Sequence, residues 1–323
     1  MTSSVTSSTP DSSGRAGRVV VTGGSGFVGR AVVRALLDRG TSVVVADREP
    51  LPASVRDDRV THVQGELADP DVRDRALSEG CTGVIHLAAI TSVLKSAEQP
   101  AETFETNVRV THELLELARQ RGIGQFVLAS TNAVVGDIGH GTISEDLPLQ
   151  PLTPYGATKA AGEMLLSGYA GAYGLATASL RFTNIYGPGM GHKDSFIPRL
   201  MRAALAGEGV EVYGDGSQSR DFVHLSDVVQ GIMAAFDKQY TGSAIIGSGE
   251  SISVTQLIEA VRAATGEPLP VEHVPAKQGE MPAVIVDVST AKRELGYTPT
   301  MGLTDGLRTV WDDFRAAAAD GTP

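Results

Sequence analysis

The sequence predicts an α/β fold in which a doubly wound parallel sheet is followed by a smaller C-terminal α/β lobe. Three observations carry this. Short β-branched runs, apolar on both faces, alternate with segments apolar at helical spacing; a glycine-rich turn joins the first run to the first helical segment; and the alternation loosens after about residue 184. Strands buried on both faces read as continuous apolar runs and belong to parallel sheets covered by helices.

Residues 1–17 are Ser/Thr-rich, with almost no large apolar side chain to offset ordering entropy, and read as a flexible tail. They lack the apolar core of a secretory signal. RVVVT (18–22) is a buried strand, and GFVGRAVVRALLDR (26–39) continues it as a helix. Strands follow at SVVVA (42–46), RVTHV (59–63), GVIHLAA (83–89), QFVLAS (125–130) and ATASLRF (176–182), separated by helices near 71–79, 101–121 and 154–173. Residues 18–183 therefore form a Rossmann-type, dinucleotide-binding domain. Beyond it, NIYGPGMG (184–191) and VYGDGSQSR (212–220) read as loops joined to short strands, with helices near 195–206, 226–238, 254–265 and 303–319. Residues 184–323 are expected to be mainly a substrate-binding lobe packed on the first domain.

The 323 residues include 27 Lys+Arg against 38 Asp+Glu, a formal net charge of −11. That sign disfavours nucleic acid or an anionic membrane as the partner, since both need clustered cations. Cys81 is the one cysteine, which excludes an intrachain disulfide and a cysteine-based zinc site. The seven histidines fall at no ligand spacing, so no metal is expected. No apolar run approaches the roughly 18–20 residues that span a bilayer. A reduced, cytoplasmic, soluble protein is the expectation.

In TGGSGFVG (22–29), Gly23, Gly26 and Gly29 recur every third residue between a strand and a helix. Such glycines let the backbone turn sharply, approach a pyrophosphate and seat the helix on the sheet, while the helix N-terminus offers free N–H groups to phosphates. Gly23, Gly26, Phe27 and Val28 are the candidate contacts. Asp47 ends the next strand, where a carboxylate accepts both ribose hydroxyls of NAD and repels the extra phosphate of NADP. Arg48 beside it could instead hold that phosphate.

Thr153 and Pro154 are suited to the N-cap and first position of a helix, which puts Tyr155 and Lys159 on one face at i and i+4. A tyrosine is too weak an acid to serve as a base at neutral pH unless a nearby cation stabilises the phenolate. Ser130 and Thr131 end the preceding strand, where the ligand crevice of a doubly wound sheet lies. Strand end and helix face can converge on one reacting oxygen.

Together these pieces resemble the extended short-chain dehydrogenase/reductases, specifically the nucleotide-sugar epimerase/dehydratase family, from Arg18 to about Trp311. The matching segments are TGGSGFVG (22–29), Asp47, HLAA (86–89), Asn107 in TNVRVT, STNAVVG (130–136), YGATK (155–159), LRFTNIYGP (180–188), YGDGSQSRDFVH (213–224) and LGYTP (295–299). The resemblance implies Thr131 as the positioning hydroxyl, Tyr155 as acid/base, and Lys159 as the residue that holds nicotinamide ribose and tunes the tyrosine. It also implies Glu66 and Leu67 at adenine, and Leu87, Ala88 and Ala89 along the pyrophosphate and nicotinamide ribose. Asn107 is implied beside the cofactor, supporting the site. Asn184, Tyr213, Arg220, Lys277 and Glu280 are implied at the sugar nucleotide.

The departures from the family pattern inform the activity. Dehydratases of the family carry Asp-Glu directly after the catalytic Thr, where this chain has Asn132 and Ala133. Lys277-Gln278-Gly279-Glu280 stands where Arg-x-Gly-Asp is frequent, which exchanges a bidentate fork for a point charge. The resemblance thus implies a UDP-hexose 4-epimerase with retained NAD, acting on a neutral hexose or a hexuronate and assembled as a homodimer. His192, Lys193 and Arg199 could approach a uronate carboxylate or stand in solvent. A nucleotide-sugar reductase using the same triad, and an NAD-binding protein without chemistry, are the alternatives.

Overall fold

The computed structural model describes residues 17–276 and 282–319. The expected tail up to residue 16, together with Lys277 and Glu280, lies outside the described residues. In chain order the strands are β1 (Arg18–Thr22), β2 (Val43–Asp47), β3 (Val60–Gln64), β4 (Cys81–His86), β5 (Gln125–Thr131), β6 (Thr142–Ile143), β7 (Ala176–Phe182), β8 (Asn184–Tyr186), β9 (Val210–Tyr213), β10 (Ser219–His224), β11 (Gly242–Ile246), β12 (Ser251–Ser253), β13 (Val271–Val274) and β14 (Ile285–Val286). The helices are α1 (Phe27–Asp38), α2 (Pro70–Ala76), α3 (Val93–Glu98), α4 (Pro100–Phe104), α5 (Val110–Gln120), α6 (Pro154–Tyr173), α7 (Phe196–Ala206), α8 (Leu225–Asp237), α9 (Val254–Thr265) and α10 (Leu303–Ala319).

Seven strands form one parallel sheet in the order β11-β7-β5-β4-β1-β2-β3. The chain steps outward from β1 through β2 to β3, then returns to β4 on the other side. That reversal opens a crevice beyond the carboxyl ends of β1 and β4. There the Leu87 N–H donates to the Thr22 carbonyl at 3.1 Å, and the strand read as 83–89 ends at His86, leaving Leu87, Ala88 and Ala89 as crevice loop.

Alternation of side chains across the pleat explains the double burial. Val21, Val45 and Ile85 face a core shared with Val32 and Leu36 of α1 and Ile232 of α8. Val20, Val44 and Val84 face a second core with Val72 of α2, Leu114 of α5 and Leu166 of α6. Each such fully buried aliphatic side chain contributes about 1.5–3 kcal/mol. A third core holds α7, α9 and α10 together around Leu200, Leu257, Val261, Val310 and Trp311.

Two features differ from the sequence reading. The helix expected at 101–121 is built as α4, a π-helical turn over Glu105–Arg109, and α5. The wider turn carries Asn107, whose buried side chain bonds outside the helix, and π-bulges commonly occur where such a residue is re-aimed. In addition, α8 and β11 return to the large sheet: β11 pairs with β7, and Ile232 and Ile246 share the core of β1. The layers therefore do not divide cleanly at residue 183. No helix among the described residues is long and apolar enough to cross a membrane.

Candidate active site

At the cofactor end, backbone geometry dominates. Gly23 turns the chain out of β1 at φ +68°, and a Cβ there would stand 2.8 Å from the Ala88 nitrogen. Only glycine serves both demands. A Cβ on Gly29 would collide with the Gly23 carbonyl oxygen, so this glycine lets α1 approach the loop. Gly26 caps α1 without a side-chain hydrogen bond, and no acidic residue occupies the first turn. The N–H groups of Phe27 and Val28 fall in the first turn, where they have no carbonyl partner within the helix.

The Asp47 carboxylate is held from both sides: its Oδ2 accepts from Ser25 N–H at 2.9 Å and its Oδ1 from Glu49 N–H at 3.0 Å. It is fixed at the end of β2 with lone pairs remaining for a ribose diol. Arg48 is drawn to Glu49 at 3.5 Å and to Glu66 at 3.8 Å, so two carboxylates oppose the binding of a 2′-phosphate by that guanidinium. Leu67 is buried in the core of α2, with Glu66 exposed beside it. The donor set fits NAD: small residues at the pyrophosphate turn, free helix N–H groups, and a fixed carboxylate.

At the reacting end, burial dominates. Thr153 caps α6 by accepting from Gly156 N–H at 3.1 Å, with Pro154 at the first helical position. Tyr155 and Lys159 follow on one face, against the end of β5. The Thr131 hydroxyl accepts from Ala133 N–H at 3.2 Å and lies on the Tyr155 side, where it favours the phenolate. Burial pushes the Tyr155 phenol up to about 12, with the Thr131 hydroxyl opposing. The expected lowering of Tyr155 by Lys159 is not what this structure has: the Lys159 ammonium donates to the Ala129 carbonyl at 2.8 Å, and desolvation of the phenolate prevails. Lys159 is itself pushed down by burial to about 8, with the Glu163 charge opposing.

Asn107 is bonded on both ends of its amide. Its Oδ1 accepts from Ile90 N–H at 2.8 Å, and its Nδ2 donates to the Ile90 carbonyl at 2.9 Å and the Thr158 hydroxyl at 3.0 Å. With its amide bonded to protein groups, Asn107 positions the loop after β4 against α6 and so supports the site. Ala88 N–H donates to Thr22 Oγ1 at 3.3 Å, which fixes the same loop from the other side.

Three buried groups behind the site escaped the sequence reading. Glu163, one turn beyond Lys159, accepts from Arg181 through Nε at 3.0 Å and Nη2 at 2.7 Å, and from the Ser130 hydroxyl. Arg181 is a lone cation in a buried strand, and such a charge needs a partner; Glu163 at i+4 from Lys159 was the available signal. His86, between Thr22 and Thr111, is held neutral, pushed down to about 3 by burial and by the Lys159 charge. Asp221 accepts from Thr183, Ser248 and Gly249, tying β10 to the loop after β11.

Of the residues expected at the sugar nucleotide, Asn184 donates from Nδ2 to the Asp221 carbonyl at 2.8 Å and is exposed. Tyr213 ends β9, and Arg220 on β10 donates from Nη1 to the Ser219 carbonyl at 2.8 Å. Arg199 is paired with Asp194, His192 is exposed, and Lys193 lies over the ring of Phe27.

Residues 19–247 match the NAD dependent epimerase/dehydratase family. The chain is 35% identical over 329 residues to a UDP-glucose 4-epimerase of Corynebacterium glutamicum, covering 94% of this chain and 97% of that one. It is also 35% identical over 300 residues to a dTDP-glucose 4,6-dehydratase of Streptomyces griseus, covering 90% and 91%. Among solved structures, MoeE5 in complex with UDP-glucuronic acid and NAD superposes with a TM-score of 0.84 at 37% identity, covering 93% of this chain and all of that one. With the fit of the crevice, this makes NAD the cofactor.

Proposed function

The chain belongs to the NAD dependent epimerase/dehydratase family, and we propose that within it the protein is a UDP-hexose 4-epimerase, its sugar a neutral hexose or a hexuronate. One observation carries the reading. Buried Thr131 at the end of β5 acts on the Tyr155 phenol, and the two residues that follow it, Asn132 and Ala133, supply no carboxyl group. Removing water from a 4-keto hexose needs an acid for the 6-hydroxyl and a base for the C5 proton. Glu163 does not serve, because Arg181 and Ser130 already hold its carboxylate.

In this reading Tyr155 Oη takes the proton of the sugar 4-hydroxyl, and the Thr131 hydroxyl bonds that oxygen and orients it. Bound NAD supplies a reversible hydride acceptor and a positive ring that favours the Tyr155 phenolate. Lys159, whose ammonium donates to the Ala129 carbonyl, is proposed to hold the nicotinamide ribose. The 4-keto sugar turns over within the crevice, and Tyr155 returns its proton to the oxygen when C4 is reduced on the other face. Asn184, Tyr213 and Arg220 are proposed to hold the nucleotide, with Arg220 suited to a diphosphate. A homodimer is proposed through the helices of 101–121 and 154–173, where Phe104, Met164 and Tyr173 are exposed; sedimentation at micromolar concentration gives a dimer if so.

Incubation with UDP-glucose, UDP-galactose, UDP-glucuronate and UDP-galacturonate in turn, with chromatographic separation, tests the activity. One pair should interconvert without added cofactor. Turnover that requires stoichiometric NADH or NADPH would assign a reductase instead.

A further inference from the structure

Three basic side chains meet at the positive end of α1, and two of them come from the loop between β8 and α7. Lys193 places its Nζ 5.1 Å from the centroid of the Phe27 ring, the first residue of α1. Arg30, one turn further along α1, donates from Nη2 to the Gly189 carbonyl at 3.0 Å. Both of their charges bear on His192, whose imidazole is pushed down first by burial and then by Lys193 and Arg30. The loop is fixed in this position: Gly189 N–H donates to Asp313 of α10 at 2.7 Å, and Lys193 N–H donates to the Met190 carbonyl at 2.9 Å.

The Lys193 ammonium is half-buried, and among the described residues no carboxylate pairs with it. Burial alone works against its charge. A partly desolvated cation without a counter-charge, packed on the ring of the first residue of α1, is unfavourable by itself and becomes favourable when an anion arrives. Arg199 on the same segment differs, since Asp194 already neutralises it.

We propose that Lys193 is a cofactor-retaining residue, contributed by the substrate lobe, whose ammonium joins the α1 N–H groups on the diphosphate of NAD. A cation from a second lobe would couple cofactor retention to the closed arrangement of the two lobes. The proposal rests on the cofactor and not on which sugar is inverted.

Lys193→Met keeps the aliphatic stem on Phe27 and removes the charge, whereas Lys193→Arg keeps a cation. Binding of NAD, ADP-ribose, adenosine and UDP to cofactor-stripped protein is measured by calorimetry, alongside the melting temperature. Lys193→Met should weaken NAD and ADP-ribose about tenfold, leave adenosine and UDP within twofold, and leave melting near wild type; Lys193→Arg should restore most of the affinity. NAD and ADP-ribose binding within twofold of wild type in Lys193→Met would overturn the proposal. A loss confined to UDP would overturn it too, by assigning the cation to the substrate diphosphate.

Discussion

The two ends of the crevice are built by different means. At the end of β2, backbone groups fix the chemistry: two N–H donors hold the Asp47 carboxylate, and Gly23 occupies a left-handed turn against Ala88. At the end of β5, side chains from separate elements meet out of water, and burial sets their protonation, with Tyr155 raised to about 12 and Lys159 lowered to about 8. The first arrangement is ready for its ligand as it stands. The second carries charges that its surroundings disfavour until a ligand completes them, so the two ends should respond differently to substitution.

Tyr155→Phe probes the reacting end most severely. It removes the proton acceptor while keeping the ring, so turnover should fall by at least about 10² with NAD affinity within a few-fold of wild type. Turnover retained within a few-fold would show that another group takes the proton. Asp47→Ala should have the complementary effect, weakening NAD about tenfold and narrowing the preference over NADP. If titration of the stripped wild-type protein shows NADP binding tighter than NAD, then Arg48 governs selection and the carboxylates beside it do not.

Lys159→Met tests the burial of charge itself. The folded value of about 8 lies below the ordinary 10.5, so between these values the unfolded chain binds more protons and wild-type stability rises with pH. Below pH 8 the wild type bears the full penalty of a buried ammonium, which methionine lacks. The stability of Lys159→Met relative to wild type should therefore be greatest near neutral pH and shrink as pH rises toward 10.5. A pH-independent difference in chemical denaturation would mean that the ammonium is solvated.

The same contrast explains what could be read from the sequence. The glycine turn, Asp47, and the Tyr155/Lys159 pair lie at short, local spacings, and the structure realises each on the expected strand or helix. The return of β11 to β7 was not legible, because pairing of Ala244 with Leu180 depends on a crossover through the second lobe and not on local pattern. Nor was the direction of the Tyr155 shift. Sequence proximity suggests that Lys159 acts on the phenol, but packing turns its ammonium to Ala129 and leaves desolvation in control. Asn107 was recognised as part of the site, yet its bonding to Ile90 and Thr158 follows from a π-turn that no local spacing announces.

On the proposed function, Thr131, Tyr155 and Lys159 interconvert 4-epimers in a site where Asn132 and Ala133 offer no acid for elimination. Mass spectrometry of products formed from UDP-glucose and from UDP-glucuronate tests it most directly. The product should keep the mass of the substrate and separate from it as its 4-epimer, with no lighter species accumulating. A dominant product lighter by one water, or by carbon dioxide for the uronate, formed at the rate of substrate loss, would contradict it and show that another acid–base pair acts beside Thr131.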